Sequence, residues 1–251
     1  MKTLIASIIL LLATTPSTAQ DNTSALLPIP KKVEQRSSKK LFDITRAAIT
    51  TNDCSDKPYI AEELKEILEY RTGIRIDGNK GKNRIEIAVS PSMASQEYSI
   101  EISDKLMKLK GGSEAGIFYA LKTLDQILLG DALNSKAGKI APVYIEDAPR
   151  YDYRAVMLDP SRHFLPLEDV KFFIEQMSRY KYNVLQLHLT DDQGWRVAIN
   201  SHPRLASPQH YTQDELRHII QYAAQRHIEV IPEMDIPGHT VAILAAYPEL
   251  S

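Results

Sequence analysis

The sequence predicts an α+β domain followed by an α/β segment built on a parallel sheet. In residues 20–148, apolar and polar residues alternate in short segments, as in strands with one buried face, and two further segments have apolar residues at helical spacing. After Pro149, short continuous apolar runs alternate with helical patterns, which is typical of parallel strands. The change of pattern predicts a domain of residues 20–148 and a second unit of residues 149–251.

Four segments define the predicted N-terminal domain. Apolar residues at every second position predict strands at 85–89 and 98–102, and antiparallel pairing of these two strands is the natural expectation. Helical stripes of apolar residues occupy 60–68 and 118–128. Together they predict an α+β sandwich. Its charges are dispersed as on a solvated surface, so we interpret this domain as a scaffold without a catalytic cluster.

Three strands and two helices are predicted in residues 149–251. The strands are 155–158, 184–189 and 229–231, and the buried helical stripes are Val170, Phe173, Ile174 and Met177, then Leu216, Ile219, Ile220 and Ala223. Thr212 and Glu215 form a capping box before the second helix. Helices that join successive strands imply a parallel sheet, either the opening of an α/β barrel or an open doubly wound sheet.

Composition and charge exclude several classes of function. The 251 residues contain 30 Lys and Arg against 32 Asp and Glu, so the net charge of −2 provides no field that would attract nucleic acid. Apolar residues make up 43% and charged residues 25%, as in ordinary globular domains. No run of 18 apolar residues occurs, so the sequence predicts no membrane span.

The first residues have the pattern of a secretory signal peptide. Lys2 precedes an apolar run, and Ser17 and Ala19 supply the small residues that a signal peptidase requires. We therefore expect residues 1–19 to be removed and the protein to be exported, to the periplasm or the extracellular space. The alternative is a short buried helix. Cys54, the one cysteine, has no partner in the chain for a disulfide, and we expect it to serve in packing.

Polar residues crowd the carboxyl ends of all three predicted parallel strands. The loops are 159–163, 188–195 and 232–239. Parallel α/β folds place their active sites at this edge of the sheet, so three polar loops that meet there predict a functional site.

Three residues are the main candidates in these loops. Arg162 offers a rigid fork of donors suited to sugar hydroxyls or a carboxylate, although it would also pair with Asp159 to hold its loop. Asp191 and His239 suit a carboxylate and imidazole pair that orients a catalytic acid, although each also fits the role of a satisfied buried polar group.

Further candidates are secondary. Trp195 either stacks on a sugar or caps the barrel, while Asp192, Glu233 and Asp235 fit the role of loop-fixing carboxylates better than a catalytic one. A metal site is the other alternative, because imidazole with carboxylate suits zinc or iron. Its ligands would be His163, His188, Asp191 and His239. No compact HExxH or HxxEH spacing supports it.

At these residues the sequence resembles the β-N-acetylhexosaminidases of glycoside hydrolase family 20. The matching motifs are MLDPSRH at 157–163, HLTDDQGWR at 188–196 and PEMDIPGH at 232–239, in the family's order. The N-terminal part is similar to the family's non-catalytic α+β domain, at LPIP (27–30), GIFYALKTL (116–124) and DAPR (147–150). The resemblance therefore runs from about Leu26 to the last residue.

The resemblance implies an activity and a set of roles. The family removes terminal N-acetylglucosamine or N-acetylgalactosamine from glycans and chitin fragments with retention, and the acetamido oxygen of the substrate is its nucleophile. Arg162 would bind hydroxyls of the terminal sugar, and Asp191 with His239 would form the hydrogen-bond network behind the acid. His188, Trp195, Glu233 and Asp235 would be secondary site residues. No cofactor or metal is implied.

The resemblance also has departures. Gln186 and Leu187 stand where the family often has His and Trp, and Ala155 replaces a usual Gly. The catalytic Asp-Glu pair of the family follows the Pro-Gly-His loop, so we expect it beyond Ser251. A closed (β/α)8 barrel needs about 250 residues, so the chain would hold the first three strand-helix units of a truncated TIM barrel. The competing classes are a non-catalytic carbohydrate-binding protein and a metal-dependent hydrolase.

Overall fold

The computed structural model describes residues 26–38, 40–52, 58–76, 81–132 and 138–250. The predicted signal peptide and Cys54 lie outside the described residues. In the described part of the chain, every helix is too short or too polar to cross a membrane.

The described residues of the N-terminal domain form eight strands and two long helices. In chain order they are β1 (Lys32–Gln35), β2 (Phe42–Asp43), β3 (Ala47–Asn52), α1 (Pro58–Thr72), β4 (Asn83–Val89), β5 (Tyr98–Ile102), β6 (Leu106–Gly111), α2 (Glu114–Ala132), β7 (Lys139–Ile140) and β8 (Val143–Asp147). A single 3-10 turn, Ile44–Arg46, separates β2 from β3.

Six of these strands form one mixed sheet in the order β1-β8-β5-β6-β4-β3. The predicted pairing of β4 with β5 is wrong, because β6 lies between them, parallel to β4 and antiparallel to β5. A tight hairpin joins β5 to β6, in which the Ser103 amide donates to the Leu106 carbonyl at 2.8 Å. This local turn places β6 beside β5 and so separates β5 from β4, the strand before it in the chain.

The core of this domain lies between the sheet and the two helices. Both predicted helical stripes are buried, with Leu64, Leu68 and Leu124 fully enclosed. They pack on the buried face of the sheet, to which Ile87 and Ile100 contribute. The α+β sandwich predicted from alternation and helical spacing is confirmed.

The second unit alternates strands and helices. Its elements are β9 (Ala155–Leu158), α3 (Leu167–Arg179), β10 (Val184–His188), β11 (Thr190–Asp191), β12 (Gly194–Trp195), α4 (Gln213–Ala224), β13 (Glu229–Glu233) and α5 (Val241–Ala246), with a 3-10 turn at Pro248–Leu250. The small hairpin of β11 and β12 was not predicted, and it shapes the loop after β10.

The parallel sheet predicted for this unit is confirmed. β10 lies in the centre and pairs in parallel with β9 and β13. The capping box also forms, since the Thr212 amide donates to Glu215 at 2.8 Å and the Glu215 amide donates to Thr212 Oγ1 at 3.1 Å. One predicted core residue is wrong: Ile220 is 46% exposed, because α4 turns only Ile219 and Ala223 fully inward.

The two faces of this sheet differ. Leu185 and Leu187 are fully buried beneath the helices. Gln186 and His188 alternate with them and therefore lie on the opposite face. On that face Met157 is 52% exposed, so the expectation that β9 is buried on both faces does not hold for the described residues.

A buried polar cluster joins the two units. Lys181 Nζ donates to Tyr98 Oη at 2.8 Å, and Tyr98 Oη donates to Asp147 Oδ2 at 2.9 Å. Arg154 Nη2 donates to Tyr119 Oη at 3.0 Å, and Arg154 Nε donates to the Lys181 carbonyl at 2.8 Å. Burial lowers the pKa of Lys181 to about 8, against the opposing effect of Asp147. This cluster orients the second unit on the first.

Candidate active site

Asp191 lies at the centre of the predicted site and joins the three loops. Its side chain is 2% exposed. Its Oδ2 atom lies 2.7 Å from Arg162 Nη2 and 3.1 Å from His188 Nε2. Its Oδ1 atom accepts from the Asp192 amide at 2.6 Å and lies 3.2 Å from His239 Nδ1. The structure thus brings the three main candidates, Arg162, Asp191 and His239, into direct contact.

These contacts keep the Asp191 carboxylate charged. Burial raises the pKa of Asp191, but hydrogen bonds from the Asp192 amide and the His188 ring, with the charge of Arg162, outweigh burial and hold the pKa below its ordinary value. A buried carboxylate with donors on both oxygens is a fixed negative charge, suited to orient an imidazole or a guanidinium.

Arg162 holds its own loop through Asp159, and the ligand-binding role considered for it stays a prediction. Its Nη1 atom donates to Asp159 Oδ2 at 2.6 Å, which holds the first loop, while 43% of its side chain stays exposed. Burial would raise the pKa of Asp159, but hydrogen bonds from Ser161 and from the amide and guanidinium of Arg162 lower it to about 2. The guanidinium is therefore pre-positioned by two carboxylates and remains accessible to a ligand.

Arg196 is a site residue that sequence reasoning missed. Its guanidinium is buried and donates to the carbonyls of Pro160 and Ser161 at 3.0 and 2.8 Å. It thereby fixes the backbone just before Arg162. A Cβ atom on Gly194 would lie 2.5 Å from Arg196 Cζ, so a side chain at that position would displace the guanidinium. The Gly-Trp-Arg run within the loop was the signal that could have found it.

Trp195 belongs to the core. The residue is 9% exposed, and its Nε1 atom donates to the Val197 carbonyl at 2.8 Å. The structure favours the capping alternative over sugar stacking for this residue, because too little of the ring is accessible for a sugar to stack on it.

The secondary carboxylates lie at the edge of the site. Asp192 Oδ1 accepts from the Val241 amide at 3.1 Å at the start of α5, as expected of a loop-fixing residue. Asp235 is held through its backbone, whose amide donates to Thr190 Oγ1 at 3.2 Å. Glu233 Oε1 lies 3.2 Å from His188 Nδ1, and Gln186 Nε2 donates to Glu233 Oε2.

The alternative metal set is only partly assembled. Two groups of potential ligands have donor atoms within 4.8 Å of one another, His188 with Glu233 and Asp235, and Asp191 with Asp192 and His239. His163 joins neither group among the described residues. The four-ligand site considered from the sequence is therefore not formed as one cluster.

Comparison with known proteins covers both units. The family model for the glycosyl hydrolase family 20 catalytic domain matches residues 151–251, and the model for domain 2 of that family matches residues 23–148. The β-hexosaminidase of Vibrio furnissii is 34% identical over 90% of this chain and 40% of its own length. The chain thus spans about 40% of that relative.

Solved structures give the same result. The N-acetyl-β-hexosaminidase of Streptomyces plicatus, in complex with Thio-NAglucal, is 36% identical with a TM-score of 0.80, over 94% of this chain and 50% of that chain. The exo-β-N-acetylglucosaminidase of Vibrio harveyi, in complex with N-acetylglucosamine, is 32% identical with a TM-score of 0.75, over 91% of this chain and 38% of that one. The N-terminal unit and the parallel sheet therefore correspond to an N-terminal domain and the start of a catalytic barrel.

Proposed function

This chain belongs to glycosyl hydrolase family 20, and from that premise we propose that it supplies the N-terminal domain and the first three strand-helix units of the barrel of a β-N-acetylhexosaminidase. The enzyme would remove terminal non-reducing N-acetylglucosamine or N-acetylgalactosamine from glycans and chitin oligosaccharides. Relatives named β-hexosaminidase and N,N'-diacetylchitobiase support this substrate class. The N-terminal signal pattern supports export to the periplasm or the extracellular space.

The observation that carries the proposal is the Asp191 network. It fixes the guanidinium of Arg162, 43% of whose side chain is exposed, beside two carboxylates at the carboxyl ends of parallel strands. A rigid guanidinium in that position binds a pair of neighbouring sugar hydroxyls. His239 is 49% exposed, its Nδ1 atom lies 3.2 Å from Asp191 Oδ1, and it would orient the acid.

The chemistry would follow the retaining, substrate-assisted route. The acetamido oxygen of the substrate attacks the anomeric carbon, an Asp positions the acetamide, and the adjacent Glu protonates the leaving oxygen. By position in the family pattern this Asp-Glu pair is expected beyond Ser251, and residues 151–251 would contribute sugar binding and the network behind the acid.

Binding of N-acetylglucosamine by the chain, measured by titration calorimetry, tests the proposed site. We expect saturable binding that is lost in Arg162→Ala and kept in Arg217→Ala, a control arginine exposed on α4 and paired with Asp214. Equal affinities of Arg162→Ala and the unaltered chain would contradict the assignment.

Hydrolysis separates an enzyme from a carbohydrate-binding protein. We expect the native protein to release nitrophenol from the nitrophenyl β-glycoside of N-acetylglucosamine, with no effect of a chelator. Saturable binding without turnover would identify a non-catalytic binder, and loss of turnover with chelator would identify a metal-dependent hydrolase.

A further inference from the structure

We propose that His188, with the Glu233 carboxylate 3.2 Å from its other ring nitrogen, is a positioning residue that keeps Asp191 fixed when Arg162 engages the sugar. The inference rests on the proposed function, because it assigns Arg162 to the substrate. Nothing in the sequence motifs distinguishes this role of His188 from that of a metal ligand or a packed core histidine.

The side chains of Gln186, His188 and Glu233 form a row on the face of the sheet opposite the helices. Gln186 and His188 lie two residues apart on β10 and share that face. Glu233 is the direct partner of His188 in the register of β10 and β13. The backbone of the parallel sheet therefore places the Glu233 carboxylate beside the His188 ring without any loop.

His188 lies between Asp191 and Glu233, with one ring nitrogen near each carboxylate. His188 is 3% exposed, with Nε2 3.1 Å from Asp191 Oδ2 and Nδ1 3.2 Å from Glu233 Oε1. The other oxygen of Glu233 accepts a hydrogen bond from Gln186. Among the described residues, His188 Nδ1 makes no hydrogen bond of regular geometry, so the Glu233 carboxylate acts on the ring through proximity and charge. Gln186 in turn holds Glu233.

The two carboxylate oxygens of Asp191 have different donors, and this difference defines the role of His188. Oδ1 is held by the Asp192 amide and lies next to His239, whereas Oδ2 has only Arg162 and His188 close to it among the described contacts. Arg162 is 43% exposed, and under the proposed function it shares its donors between Asp191 and the sugar hydroxyls, which weakens its hold on Oδ2. His188 then remains as the buried partner of Oδ2. A buried carboxylate that loses its donors costs free energy and reorients.

Kinetics of the native enzyme test this role with two substitutions at one position. His188→Leu fills the space and cannot donate, whereas the amide of His188→Gln can donate to Asp191. We expect His188→Leu to lower kcat about tenfold with KM changed less than about twofold, and His188→Gln to recover most of the loss. Equal kcat in His188→Leu and the unaltered enzyme would overturn the proposal, as would equal losses in the two variants.

A second pair of variants keeps the test independent of the folding of His188→Leu. Glu233→Gln removes the carboxylate beside His188, and Glu229→Gln removes an exposed carboxylate from the first position of the same strand. We expect a loss of kcat in Glu233→Gln only. Failure of the unaltered native enzyme to hydrolyse the substrate would instead overturn the proposed function.

A spectroscopic measurement on the chain itself needs no turnover. Long-range ¹H–¹⁵N spectra of the His239 ring report its contact with Asp191. We expect the His239 signals to shift in Glu233→Gln and to stay unchanged in Glu229→Gln. Unshifted His239 signals in both variants would show that Glu233 does not act on Asp191 through His188.

Discussion

Arg162 Nη2 lies 2.7 Å from Asp191 Oδ2, and this ion pair connects the loop after the first parallel strand with the loop after the second. The pair unites an exposed guanidinium with a carboxylate that is 2% exposed. Sequence motifs separated by 29 positions thereby become one site, and the predictions below test the residues that hold this pair in place.

Acid should destabilise the protein through Asp159. Its folded pKa of about 2 lies below the ordinary value of 3.8, so the unfolded state binds more protons between these values and stability falls as the pH drops from about 4 to 2. The contribution is about 2 kcal/mol in full. Urea unfolding across this pH range should show that the free energy of unfolding falls less steeply in Asp159→Asn than in the unaltered chain.

The exposed Asp152 provides the control for this measurement. Asp152→Asn removes one exposed carboxylate and is measured in the same pH series. A pH dependence of Asp159→Asn identical to that of the unaltered chain would show that the contacts of Asp159 contribute nothing to acid stability.

Alkaline pH should stabilise the domain junction through Lys181. The folded pKa of about 8 lies below the ordinary value of 10.5, so the unfolded state holds more protons between these values and stability rises with pH there. The slope from this group is at most about 1.4 kcal/mol per pH unit. Urea unfolding between pH 8 and pH 9.5 should show this rise, and Lys181→Met should lack it.

The pH window for Lys181 is limited by its neighbour. Burial raises the pKa of Tyr98 well above its ordinary value, so ionisation of Tyr98 in the unfolded state opposes the effect above about pH 10. A slope in Lys181→Met equal to that of the unaltered chain would assign the pH dependence to another group.

Gly194→Ala should loosen the loop that carries Arg162. The new Cβ would lie 2.5 Å from Arg196 Cζ, and Arg196 could withdraw only by giving up its hydrogen bonds to Pro160 and Ser161. We expect the free energy of unfolding to fall by about 1–3 kcal/mol. Gly238→Ala is the matched control, since no atom lies within 4 Å of a Cβ placed there. Equal stability of the two variants would show that Arg196 does not anchor the loop.

The periodic elements of this protein were predictable because burial follows spacing. The helix of residues 58–72 and the three parallel strands follow directly from apolar positions. The position of β6 between β4 and β5 was not predictable from the sequence, because alternation within a strand does not specify which strand lies beside it. Ile220 was assigned to the core for a similar reason, because a stripe at i, i+3 and i+4 is wider than the face that α4 buries.

Within the site, the three main candidates were predictable from loop position and motif, and the residues that support them were not. Arg196 donates to backbone carbonyls, and because every residue has one, the sequence does not indicate which carbonyls it binds. The pairing of His188 with Glu233 depends on strand register across 45 positions of sequence. Such contacts emerge only once the strands are aligned.

Release of nitrophenol from the nitrophenyl β-glycoside of N-acetylglucosamine by the native protein and its Asp191→Asn variant is the most direct test of the central claim. We predict chelator-resistant hydrolysis by the native protein and a loss of about a hundredfold or more in kcat for Asp191→Asn, whose amide no longer holds both the guanidinium and the imidazole. Undiminished hydrolysis by Asp191→Asn, or no hydrolysis by the native protein, would contradict it.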